Sequence, residues 1–100
     1  MRKHKFRITK QSLDGKKYHI FRLLTEIAKR MDFETNTVLG VSEFTGLTDM
    51  NDNEIYENDI DEDGDIITYH INRFVFKNEG GEITGNLTNN CSIITNTFGV

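Results

Sequence analysis

The sequence predicts a mainly β domain of the α+β class: a small open β-barrel of short antiparallel strands with one amphipathic helix near residues 21–31. Three observations carry that expectation. Short runs rich in β-branched and aromatic residues recur along the second half of the chain. Gly, Asn and Asp clusters separate them, as in hairpins, and there is no proline anywhere. Only one stretch has a clear helical period.

The elements follow in order. Lys5-Phe6-Arg7-Ile8-Thr9 alternates basic and apolar residues, the period of a half-buried strand, and Asp14-Gly15 is a tight-turn dipeptide leading to a return strand through Tyr18 and Ile20. From Phe21 the pattern changes to FRLLTEIAKRM. Ile20, Leu24, Ile27, Ala28 and Met31 then share one helical face, with Arg22, Glu26, Lys29 and Arg30 on others. A single helix from Lys16 to Met31 fits nearly as well. Thr37–Phe44 is a further apolar run, and Asp65–Ile71 and Arg73–Lys77 read as strands. Asn78-Glu79-Gly80-Gly81 then forms a hairpin loop into Glu82–Leu87, and Ser92–Phe98 is the closing strand.

One hundred residues suit a single domain, 1–100, with one small core. Cys91 is the lone cysteine, and no run resembles a signal segment or a membrane span, so a reducing cytoplasm and no membrane partner are expected. The net charge of −4 hides a strong polarity. Residues 1–30 carry ten Lys/Arg against two acids, whereas residues 31–100 carry two against fourteen. Either the basic segment packs beside the acidic one and the two neutralise each other, or the chain presents two charged faces.

The acidic half includes FTGLTDMNDNEIYENDI, at Phe44–Ile60, which resembles the signature of YopX-like proteins of temperate phages and prophages. KFRI, LDGKKYHI, RFVFKNEGGE and EITGNLTNN are similar, in the same order, to other parts of that family's pattern. The resemblance implies phage origin, a mainly β fold, oligomerisation and no established enzymatic activity. Asn53-Glu54 stands where Asn-Gly is usual, and Asn58 stands where Gly is the habit; Asn tolerates φ > 0, so the turn path is expected to survive.

Candidate chemistry is sparse. Asp59-Ile60-Asp61-Glu62-Asp63-Gly64-Asp65-Ile66 matches the first eight positions of an EF-hand loop, but His70 replaces the bidentate Glu and a strand follows where a helix is required. A Ca²⁺ loop of another type would use Asp59, Asp61, Asp63 and Asp65; otherwise the segment is a solvated acidic turn. His4, His19 and His70 are too dispersed for a zinc set, and Cys91 has no sequence-evident base. No enzyme and no cofactor are therefore expected. The favoured reading is an accessory protein that binds a host nuclease or DNA-handling enzyme, of the anti-CRISPR or anti-restriction type. Its DNA-mimicking surface would comprise Asp49, Asp52, Glu54, Glu57, Asp59, Asp61, Glu62, Asp63 and Asp65. Two alternatives stand beside it. Arg2, Lys3, Lys5, Arg7, Lys10, Lys16 and Lys17 would hold nucleic acid directly, or the basic edge of one subunit would dock on the acidic loop of the next in a homo-oligomer.

Overall fold

Alternating side chains need a partner on each side of a strand, and this chain supplies it by folding into two antiparallel sheets. The computed structural model describes residues 5–23 and 37–100. Nine strands lie in that part: β1 Lys5–Gln11, β2 Lys17–Leu23, β3 Thr37–Thr48, β4 Glu54–Tyr56, β5 Asp59–Asp61, β6 Ile66–His70, β7 Arg73–Lys77, β8 Ile83–Asn86 and β9 Ile93–Asn96. The first sheet has the order β2-β1-β3-β4 and the second β8-β7-β6-β5-β9.

The mainly β expectation holds, with two corrections. The sheets do not close into a barrel. Among the described residues there is no helix: Phe21, Arg22 and Leu23 extend β2, opposite Arg7, Phe6 and Lys5 of β1, and residues 24–31 of the expected helix lie outside the described residues. The ladder offered by β1 prevails over the local helical period, as tertiary context commonly does. The two strands absent from the sequence reading, β4 and β5, are three residues each and sit within the acidic stretch.

β1 is central, and the simple alternation expected of it is lost because Arg7, Ile8, Thr9 and Lys10 are all buried. A bulge between Thr9 and Lys10 adjusts its pairing with β3. A core cluster of Ile55, Ile67, Phe74 and Cys91 is joined by Phe76, Leu87 and Ile93. Tyr56, on β4 of the first sheet, carries the packing across that sheet, with its ring 5.5 Å from Phe44 and 5.7 Å from Phe21.

One turn construction recurs. In the loops starting at Ser12, Asp49, Asp61 and Asn78, the N–H of the first residue donates to the carbonyl of the fifth, and its own carbonyl accepts from the fourth, at 2.8–3.1 Å. The fourth residue is left-handed each time: Gly15, Asp52, Gly64 and Gly81, with φ between 63° and 88°. This is a type I turn closed by a bulge residue, which favours Gly at that place. Asn96 begins a related turn with Gly99 at φ 75°. The glycine substitute in the acidic segment is therefore Asp52, not Glu54, whereas Asn58 does adopt the positive φ expected of it, at 73°.

Gly40 on β3 has a different reason. A Cβ built there would lie 2.3 Å from Cζ of Phe98, so β3 and the residues after β9 approach too closely for any side chain. Gly40→Ala is expected to destabilise the chain by about 1–3 kcal/mol in urea unfolding, and most of that loss should vanish in a Phe98→Ala background.

Candidate functional site

A buried guanidinium cannot be left alone in low dielectric, and the position of Arg7 at the centre of the first sheet dictates much of what surrounds it. Its Nη1 lies 2.7 Å from Oδ1 of Asp59 on β5, with the side chains only 7% and 2% exposed. The approach is an ion pair rather than a linear bond, so Oδ1 has no hydrogen bond of standard geometry. Oδ2 of Asp59 accepts the Tyr56 N–H at 2.8 Å, and the Arg7 guanidinium sits 4.9 Å over the Tyr56 ring. Burial pushes the Asp59 carboxyl above its ordinary value, against the opposing pull of Arg7 and the Tyr56 N–H. On the same side, Lys5 Nζ meets both carboxylate oxygens of Glu54 at 2.7 Å.

The acidic stretch thus divides by burial. Asp49, Asp59 and Asp61 are buried and cannot present charge to a partner, which corrects the expectation that all nine carboxylates form one surface. Asp49 Oδ1 accepts the N–H of Asn51 and Asn53, each at 2.9 Å, and Oδ2 that of Ile93 at 2.9 Å. Burial opposes its charge, but these bonds outweigh it and hold the carboxyl below the usual range. Asp61 Oδ1 repeats the pattern on Asp63 and Asp65 at 3.0 and 2.9 Å. With fewer donors, burial prevails and pushes its carboxyl up. Glu54 is exposed but committed to Lys5 and to the Tyr56 hydroxyl.

Asp52, Glu62 and Asp63 are exposed, while Glu57 and Asp65 are half-buried. Glu62 accepts the Ser92 N–H, and Thr84 Oγ1 lies 3.4 Å from Asp65. Asp63 and Asp65 face Glu79 across a cleft of about 450 Å³ formed by the β5–β6 and β7–β8 turns. Sequence reasoning missed Glu79, since it lies in a hairpin loop remote from the acidic run. The Ca²⁺ set is only partly brought together. Carboxylate oxygens of Asp61, Glu62 and Asp63 lie within 4.8 Å of one another, but Asp59 is turned to Arg7 and Asp61 to its own turn.

The basic set is equally dispersed. Arg2 and Lys3 lie outside the described residues, Lys5 and Arg7 are ion-paired, and Lys10 is buried. Lys16 and Lys17 are exposed, with Lys17 Nζ donating to the Phe98 carbonyl at 3.0 Å. Burial and Asp61 push the Cys91 thiol up to about 11, the opposite of what a nucleophile needs.

His19 is a half-buried residue of β2. Its Nε2 lies 3.3 Å from Asn96 Nδ2, and its Nδ1 lies 3.0 Å from Thr9 Oγ1. Asn96 is oriented by the N–H groups of Phe98 and Val100 on Oδ1 and by the Val100 carbonyl on Nδ2, so Nε2 must accept and Nδ1 carries the proton. Burial, aided by Arg7, lowers the His19 pKa, in keeping with a neutral ring.

A family model described as YopX protein matches residues 2–97. No curated protein and no solved structure matches the chain. No helix among the described residues is long and apolar enough to cross a membrane.

Two outcomes are expected. Arg7→Met or Asp59→Leu alone should cost about 3–5 kcal/mol in chemical denaturation, whereas the double substitution should recover much of that loss, because neither charge is then stranded. His19 has a folded pKa below its ordinary 6.5, so the unfolded chain binds more protons and stability should fall as pH drops through that value. In thermal melts across that window, His19→Gln should flatten the slope.

Proposed function

The chain belongs to the YopX family of small phage-type proteins, and from that premise we propose that it acts by binding rather than catalysis. Its target is a cationic surface on a host protein, such as the nucleic-acid groove of a nuclease or another DNA-handling enzyme in the bacterial cytoplasm. The observation that carries this reading is the internal use of the basic strand. Arg7 and Lys5 are taken up by Asp59 and Glu54, while Asp63, Asp65 and Glu79 line one cleft, with Glu62 beside Asp63.

Carboxylates a few ångströms apart on a rigid rim resemble a phosphate run and would steer a basic groove by the same salt-dependent attraction. The rim residues belong to two turns braced by their own first-position caps, Asp61 and Asn78, so they are held in place before binding. The alternatives draw less support. A basic edge docking on the acidic loop of another copy, or on nucleic acid, would draw on a set in which Lys5 and Arg7 are already engaged within the chain and Lys10 is buried, with Lys16 and Lys17 exposed.

The test is affinity capture from nuclease-treated bacterial lysate by the tagged chain and by a variant carrying Glu62→Gln, Asp63→Asn, Asp65→Asn and Glu79→Gln. The wild type should retain a DNA-handling protein that salt releases and DNA displaces, and the variant about tenfold less. Equal retention by a variant with an unchanged melting temperature would overturn the reading.

A further inference from the structure

At the other end of the β6–β7 hairpin from the acidic rim, β3 and the β7–β8 pair leave a cleft of about 340 Å³ between them. Thr45, Leu47, Arg73, Phe74, Asn86 and Leu87 line it. Its floor is continuous with the core, since Phe74 is a member of the buried cluster and Leu87 packs against it. Tyr69, edge-on to Phe74 at 4.9 Å and partly exposed, continues the apolar surface.

Ile71 at the hairpin tip adds a second observation. It is 71% exposed and has φ 45°, a strained conformation for a β-branched residue, in a two-residue turn that Asn or Gly would make at lower cost. The positive φ at Ile71 and Asn72 is what the two-residue turn requires; what the fold leaves unexplained is an exposed isoleucine at that place, beside the cleft.

Charge and backbone then narrow the occupant. Of the residues that line the cleft, none is Asp or Glu and one, Arg73, is a cation. Arg73 stands at the cleft, and among the described residues it makes no ion pair. β8 is an edge strand among the described residues. Leu87 N–H donates to the Phe74 carbonyl at 3.0 Å, so the neighbouring pair, Val75 and Asn86, is the non-bonded kind. Asn86 therefore turns its own N–H and C=O outwards, at the rim of the same cleft.

We propose that this cleft receives the C-terminal end of an extended peptide of a partner protein. The peptide adds to the outer edge of β8, its last apolar side chain enters between Leu47 and Phe74, and its terminal carboxylate meets Arg73. A free organic acid would meet Arg73 equally well but would leave the edge groups unanswered. The surface is separate from the acidic rim, and the inference stands whether or not that rim binds a groove.

The test is a titration of the full ¹⁵N-labelled chain with hexapeptides Gly-Ser-Thr-Thr-Ser-X, where X is Leu, Ile, Val or Phe, each with a free or an amidated C-terminus. Amide shifts should concentrate at Thr45, Leu47, Arg73, Asn86 and Leu87 for at least one free-carboxylate peptide. Amidation should weaken that binding by about tenfold. Arg73→Gln, an exposed position, should weaken it by the same factor and abolish the difference between free and amidated forms. Several results would overturn the proposal: no shifts at the cleft at about 5 mM peptide, equal binding of the amidated peptides, or an equal response to decanoate alone. Concentration-dependent shifts of the same amides without peptide would also do so, by assigning the cleft to a second copy of the chain.

Discussion

The two sheets are held in one relative position by the pair Arg7 and Asp59. Each charge has been taken almost wholly from water, and each is tolerable only opposite the other. Sliding β1 along its neighbours, or shifting β5 by one residue, would strand both, since a one-residue slip turns a side chain to the opposite face. Asp59 also receives the Tyr56 N–H at the crossover between the sheets, and Tyr56 in turn covers the guanidinium. The polarity of the sequence, basic first and acidic after, is thus partly an internal matter. Its best-placed members meet across the sheet interface and leave the remainder of the acids outside.

Much of the strand order is legible in the sequence. Hairpins such as β6–β7 and β7–β8 are read easily because both the strand period and the turn residues lie within a dozen positions. β4 and β5 were not, since Glu54-Ile55-Tyr56 and Asp59-Ile60-Asp61 are too short to show a period and each carries an acid whose partner is remote in sequence. The helical period at Phe21–Leu23 misled for the converse reason: the three residues fit a helix locally, but β1 supplies backbone partners for a strand.

The candidate site suffered from a similar ambiguity. Alternating carboxylates at Asp59, Asp61, Asp63 and Asp65 look alike in one dimension, and only burial separates the ion-paired Asp59 and the turn-capping Asp61 from the outward Asp63. A signal was nevertheless present. Asp61, Asn78 and Asn96 each precede a glycine by three positions and accept backbone N–H groups of their own turns, and Asp49 precedes the left-handed Asp52 by the same interval. That spacing identifies a capping side chain, which is a reason to remove it from a list of binding groups. Arg73 was readable as the first cation after a long gap, but its apolar setting arises only when β3 is laid beside β7.

The repeated turn bears on the order in which this chain assembles. Each copy is closed by bonds spanning five residues, so the loop to be ordered is short and the entropy lost in closing it is small. Hairpins of this kind form in microseconds, without waiting for distant parts of the chain. Joining Arg7 to Asp59 is a different matter, because it gathers segments from both halves and removes two charges from water together. Early collapse is then expected to be a set of separate ribbons, and the barrier to the native state to lie at their docking.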